Sequence, residues 1–219
     1  MNVKMGDDFL FPFLGDQPER VKNIFQNPIA QHFNIYLSGE IGPPEQYSEW
    51  FNIFESAGPN DLITIHINSE GGYMNTAVQM MSAIRRCQAM VIGEVEGYCM
   101  SAATLVFLAC DLHASSDFSI FMFHTFSTVI GGKASEIHDN INFMKSFGDN
   151  MSSKVYEGFL SQSELDQLYA GKDLWMESEE VMLRIKKRET LLKKKTKAKD
   201  REKKKTTKNT NNTTDEQDS

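Results

Sequence analysis

Apolar and polar positions change period several times along the chain, and each change marks an element. Phe33-Asn34-Ile35-Tyr36-Leu37-Ser38-Gly39-Glu40-Ile41 alternates at a period of two and predicts a strand that Gly42-Pro43-Pro44 ends. From Pro44 to Ala57 the period lengthens, with Tyr47, Trp50, Phe51 and Phe54 along one face of a predicted amphipathic helix. Leu62-Ile63-Thr64-Ile65-His66-Ile67 predicts a second strand, broken at Asn68-Ser69-Glu70-Gly71-Gly72 before a helix from about Met74 to Cys87. Val91 to Glu96 predicts a third strand, and Ser101 to Cys110 a short buried helix that starts at the serine. This alternation predicts βαβ units around a mainly parallel sheet, with the turns after the strands gathered on one edge. The Gly71-Gly72 turn and Ser101 both fall on that edge.

Phe118 to His124 predicts a further strand whose period puts His124 on the face of Phe118, Ile120 and Met122. A long helical pattern from about Lys133 to Gly158 carries Ile137, Ile141, Phe143, Met144 and Phe147 on more than one stripe, as in a helix covered on two sides. Ser161 to Glu164 forms a capping box for a short helix through Tyr169 that Gly171 ends, and Ser178-Glu179-Glu180 opens the last helix.

Charge divides the chain more sharply than its net of −7 suggests: residues 184–219 carry 14 Lys and Arg against 6 acids, and residues 1–183 carry 9 against 24. A Lys- and Thr-rich stretch of this kind builds no core, so the last helix is expected to fray into a disordered basic tail. The acidic body argues against nucleic acid as the main ligand, leaving only nonspecific contact by the tail. Cys87, Cys99 and Cys110 lack metal-ligand spacing and sit among apolar residues, which favours free thiols in a reducing compartment. With no membrane-length apolar run and no secretory pattern at the N-terminus, the expected location is cytoplasmic.

Ser101 follows a predicted strand and opens a helix, where unpaired amides favour developing negative charge. Taken alone, it reads as a small residue that lets the helix pack closely, and His124 as a hydrogen-bonded boundary residue. Their company changes that reading. Ile67-Asn68-Ser69-Glu70-Gly71-Gly72, Gly97-x-x-x-Ser101, the strand ending in His124 and the Asp173-x-Trp175-Met176 segment stand 29, 23 and 49 positions apart, counted from Gly72 through Ser101 and His124 to Asp173. In order and spacing these landmarks resemble the Clp protease proteolytic subunit, from about Asn34 to about Leu183. Their Ser, His, Asp order also differs from the Ser, Asp, His order of α/β-hydrolases.

The resemblance implies a Clp protease/crotonase-like α/β fold, a βαβ superhelix with a protruding handle helix over 133–158. It divides the chain into a mobile segment 1–30, a peptidase domain 31–183 and a Lys-rich extension 184–219. It implies a serine endopeptidase acting on polypeptides, with catalytic Ser101, His124 and Asp173, oxyanion amides from Gly72 and Ala102, and no cofactor or metal. It further implies a homo-oligomeric ring, stacked as a tetradecamer, served by an AAA+ ATPase unfoldase; this sequence holds no Gly-x-x-x-x-Gly-Lys-Ser/Thr loop of its own. Ala102 stands where the family usually has methionine, Thr125-Phe126 where Gln-Pro is common, and the usual Gly-Leu-Ile-Asp ending is absent. Three other readings remain at this point: an enoyl-CoA hydratase-like enzyme, a ring-forming relative whose activity has lapsed, and a processing peptidase without an ATPase.

Overall fold

The computed structural model describes residues 30–127 and 131–212, with side chains through residue 195. The expected N-terminal segment falls almost wholly outside the described residues. Strand β1 (His32–Ile41) leads through a 3₁₀ turn (Pro44–Tyr47) into α1 (Ser48–Ser56). Then come β2 (Leu62–Gly72), α2 (Met74–Arg86), β3 (Met90–Met100), α3 (Ala102–Ala109), β4 (Leu112–Ser115) and β5 (Ile120–Phe123). The chain continues through α4 (Ala134–Val155), α5 (Gln162–Tyr169), β6 (Leu174–Glu177) and α6 (Ser178–Asn212).

One sheet holds the six strands in the order β1-β2-β3-β5-β6, and β4 also pairs with β3. Strand β3 spans two partners: Ile92 to Val95 pair with β4, and Tyr98 to Met100 with β5. Every pairing is parallel except β5 with β6.

The period of two explains how the sheet packs. Ile35 and Leu37, Ile63 to Ile67 at odd positions, Val91 and Val95 are buried toward the helices. Helix α3 lies over β3 and is buried along nearly its whole length, as its Ala-Ala-Thr-Leu-Val-Phe-Leu composition requires. Phe107 of α3 meets Phe121 of β5 at 5.4 Å between ring centroids. Truncating a buried phenylalanine of this kind typically costs about 3–5 kcal/mol.

The other face of the sheet is open. Tyr36 is 62% exposed and Trp175 59%, and Met90, Tyr98, Leu112 and Ile120 lie uncovered with them. Parallel sheets ordinarily have both faces covered, whereas these side chains of this face stay exposed among the described residues.

Several elements differ from their sequence-based expectation. Strand β2 does not break at Asn68 but runs on through Gly72, because Glu40 and Ile41 of β1 continue to pair with Gly71 and Gly72 after a register shift. Ser101 is not inside α3; it is the N-cap position, in a backbone conformation that no helix uses. Two-sided burial of α4 is not found among the described residues: Ile141, Phe143 and Phe147 are exposed, and only Gly148, Ser152 and Val155 of the helix are buried. The last helix does not fray at the Lys-rich stretch; α6 runs to Asn212, since Lys, Arg, Glu and Ala favour the helix without needing a core. Residues 213–219 lie outside the described residues. Among those described, no helix is long and apolar enough to cross a membrane.

The capping box at Ser161 forms as expected, and its Glu164 also anchors α6 through Arg184, whose Nη2 is 2.7 Å from Glu164 Oε1. Hydrogen bonding to this guanidinium holds the Glu164 carboxyl down at about 2, against an ordinary 4.5. A depressed carboxyl stabilises the fold above its unfolded value, and that contribution disappears as pH falls from 4.5 toward 2. Glu164→Gln is therefore expected to lower the melting temperature at pH 7. The gap from wild type should close as acid melts are taken toward pH 2, and a gap that persists there would show that the ion pair is not its source.

Candidate active site

Ser101 is the one non-glycine residue with a positive φ among the described residues, at φ 53° and ψ −125°. Holding an L-residue there costs on the order of 1–3 kcal/mol, and such strain concentrates where a side chain must be presented. The turn is fixed on both sides. Ser101 N–H donates to Met122 O of β5 at 2.8 Å, while Thr104 donates to Ser101 O through its amide at 3.0 Å and its hydroxyl at 2.7 Å. A serine at an N-cap ordinarily caps its helix, yet the Ser101 side chain makes no capping bond. Its Oγ lies instead 2.6 Å from His124 Nε2.

His124 follows directly on β5, which is anchored by Phe123 packed against Tyr156 and Phe159. Asp173 lies between the end of α5 and β6, with Oδ1 3.9 Å from His124 Nδ1. That separation exceeds hydrogen-bonding distance, and the Asp173 side chain is 51% exposed against 23% for His124. Serine and histidine are thus in contact, while the aspartate stands on the Nδ1 side of the ring, about 1 Å beyond hydrogen-bonding distance.

The glycine turn of β2 closes over this serine. An added Cβ at Gly71, whose φ is +96°, would lie 2.7 Å from Ser101 Cβ and 2.9 Å from the Ala102 amide nitrogen. One at Gly72, at φ +143°, would collide with Ile41 O of β1. Gly71 N–H donates to Ser69 Oγ, whereas Gly72 borders the open groove beside Ser101 and Ala102. That groove has a volume of about 790 Å³, and Phe126, Met144 and Met151 supply its apolar wall. The departure at Thr125-Phe126 has a structural counterpart, since the Phe126 ring packs onto Gly148 of α4.

Two features escaped sequence reasoning. Gly71 lies against the serine, so close that an added Cβ would stand 2.7 Å from Ser101 Cβ. Tyr156, 52 positions beyond Thr104, places its hydroxyl 3.0 Å from Thr104 Oγ1 and so braces the Ser101 turn from the end of α4. Burial pushes the Tyr156 phenol up to about 12, so it remains a neutral hydrogen-bonding group. Nothing local marks it; a tyrosine beside apolar neighbours reads as core. The cysteines are free, as expected, with Cys99 and Cys110 buried. Burial raises both thiols and keeps them protonated, and neither cysteine lines the groove.

Comparison with known proteins bears on the fold and the family. No curated protein matches the chain. Among solved structures it is similar to a point mutant of ClpP1 from Listeria monocytogenes, with a TM-score of 0.59 and 22% identity over 69% of this chain and 86% of that one. The likeness carries the mixed α/β fold and no more. Residues 16–183 match the Clp protease family, starting upstream of the first landmark at Asn34. With most of its length inside that match, the chain belongs to the Clp protease family.

Proposed function

We propose that this chain is the proteolytic subunit of a Clp-type serine protease that hydrolyses peptide bonds of unfolded polypeptides. The single observation that carries the reading is the 2.6 Å approach of Ser101 Oγ to His124 Nε2 on a strained strand-to-helix turn. In the reaction His124 takes the hydroxyl proton as Ser101 attacks the carbonyl, then gives it to the leaving amine. Water, activated by the same histidine, releases the acyl group. Amides of Gly72 and Ala102 stabilise the oxyanion, and Asp173 holds the imidazole tautomer and its charged form.

The 3.9 Å gap to Asp173 and the open sheet face support one assembly. Trp175, two residues from Asp173, lies with Ile120 and Leu183 along a concavity of about 590 Å³ on the chain surface. A neighbouring copy seated against this apolar strip would steady β6 and bring the Asp173 carboxylate to the ring. Exposed Phe143 and Phe147, stacked at 6.3 Å on α4, suit a second contact, made ring to ring by the handle helix. On this reading residues 31–183 form the peptidase domain and 184–219 a basic extension. An AAA+ unfoldase supplies ATP-driven feeding, and free thiols fit a cytoplasmic location. Cleavage of a fluorogenic peptide, with sedimentation at micromolar concentration, tests both parts. Hydrolysis by a particle many times 24.9 kDa is expected. A non-cleaving monomer would overturn the proposal.

A further inference from the structure

On the open face of the sheet, away from Ser101, His66 of β2 stands beside Glu94 and Glu96 of β3. His66 and Glu94 are register partners, and Glu94 and Glu96, two apart on one strand, point to the same face. His66 Nδ1 is 2.8 Å from Glu96 Oε1 and 3.7 Å from Glu94 Oε2, and one ligand atom from each of the three residues lies within 4.8 Å of the other two. We propose that these three side chains form a divalent transition-metal site, with Zn²⁺ the best-fitting ion.

Four observations carry this. The ligand set of one imidazole and two carboxylates suits Zn²⁺ rather than Ca²⁺ or Mg²⁺, which prefer more oxygens. Tetrahedral Zn²⁺ with bonds of about 2.0–2.1 Å separates its ligands by about 3.4 Å, and the observed 2.8 and 3.7 Å bracket that value. His66 is pre-oriented, because Nε2 lies 3.1 Å from Asn34 Oδ1 of β1 and the ring stacks on Tyr36 at 4.6 Å with a 13° interplanar angle. Finally, both ring nitrogens face acceptor oxygens. A neutral imidazole donating to Asn34 turns the Nδ1 lone pair toward two carboxylates, and a shared cation resolves that conflict together with the repulsion between the glutamates.

Three protein ligands leave one position for water or another donor. The ion would join β2 to β3 just ahead of the register irregularity between Ile67 and Ser69, on the strands that end in the Gly71-Gly72 turn and in Ser101. The site's role is therefore a clamp that sets how these two strands present the groove, and its occupancy does not depend on the proteolytic reading.

Calorimetric titration of the full chain with Zn²⁺ tests this, with Co²⁺ absorption reporting geometry. One equivalent should bind, with a tetrahedral Co²⁺ spectrum and a raised melting temperature. Glu96→Gln and His66→Gln should each weaken binding at least about 10-fold, and Asn34→Ala by about 10-fold through ring orientation. Both Glu96 and Asn34 are exposed, so their variants should fold. Failure of the wild type to bind stoichiometrically would reduce the cluster to a histidine hydrogen-bonded between its neighbours and overturn the proposal. Binding untouched by Glu96→Gln and His66→Gln would do the same.

Discussion

Ser101→Ala should abolish peptide cleavage, with kcat falling by roughly 10⁶-fold, the loss typical of removing a serine nucleophile from an assembled triad. Backbone strain makes this variant a clean test. Ser101 sits at φ 53°, and alanine carries the same Cβ into the same conformation, so stability and assembly should be unchanged. Ser101→Gly should lose activity equally yet melt higher, because glycine enters positive φ without the steric penalty. Relief of about 1 kcal/mol corresponds to roughly 2–4 °C in a chain of this size. A glycine variant no more stable than the alanine variant would show that the turn stores no strain. Substantial cleavage by either variant would remove Ser101 from the mechanism.

Gly71→Ala should be nearly as damaging without touching a reacting group. The new methyl would stand 2.7 Å from both Ser101 Cβ and Met100 O and 2.9 Å from the Ala102 amide, and those are fixed backbone and turn atoms. To relieve the clash, the glycine turn and the serine turn must separate. That displaces the proposed nucleophile, or the proposed oxyanion amides of Gly72 and Ala102, by a few tenths of an ångström or more. Misplacement of about 1 Å can cost 100-fold, and loss of one oxyanion donor about 100- to 1000-fold. We expect kcat to fall by about 100- to 1000-fold with a much smaller change in KM, the pattern of a contact made only in the transition state. Circular dichroism should remain native, with a melting temperature a few degrees lower from the φ of +96°. Retention of wild-type kcat would mean that the two turns do not cooperate.

The parts legible in the sequence were those written in local periods and fixed spacings. Alternation in Phe33–Ile41 and Leu62–Ile67 found β1 and β2, and Ser161 with Glu164 found the start of α5 through its capping box. Family spacing puts Ser101 and His124 in one site, and their side chains meet at 2.6 Å. What stayed hidden was nonlocal. Strands β4 and β6 have four residues each and exist because β3 and β5 offer edges to pair with. The continuation of β2 through Gly71-Gly72 depends on Ile41 in another strand, so a turn signal in the sequence became strand in the fold. The brace from Tyr156 to Thr104 and the cluster of His66 with Glu94 and Glu96 join residues that no short window contains together. Asp173 is the intermediate case: its spacing puts it near His124, but the 3.9 Å that separates them is set by tertiary placement that no spacing reports.

The most direct measurement is mass-spectrometric mapping of a fluorophosphonate adduct on the assembled protein. The account predicts one adduct, on Ser101, formed in step with loss of peptide cleavage and absent from Ser101→Ala. An adduct on another residue, or continued cleavage with Ser101 fully modified, would contradict it.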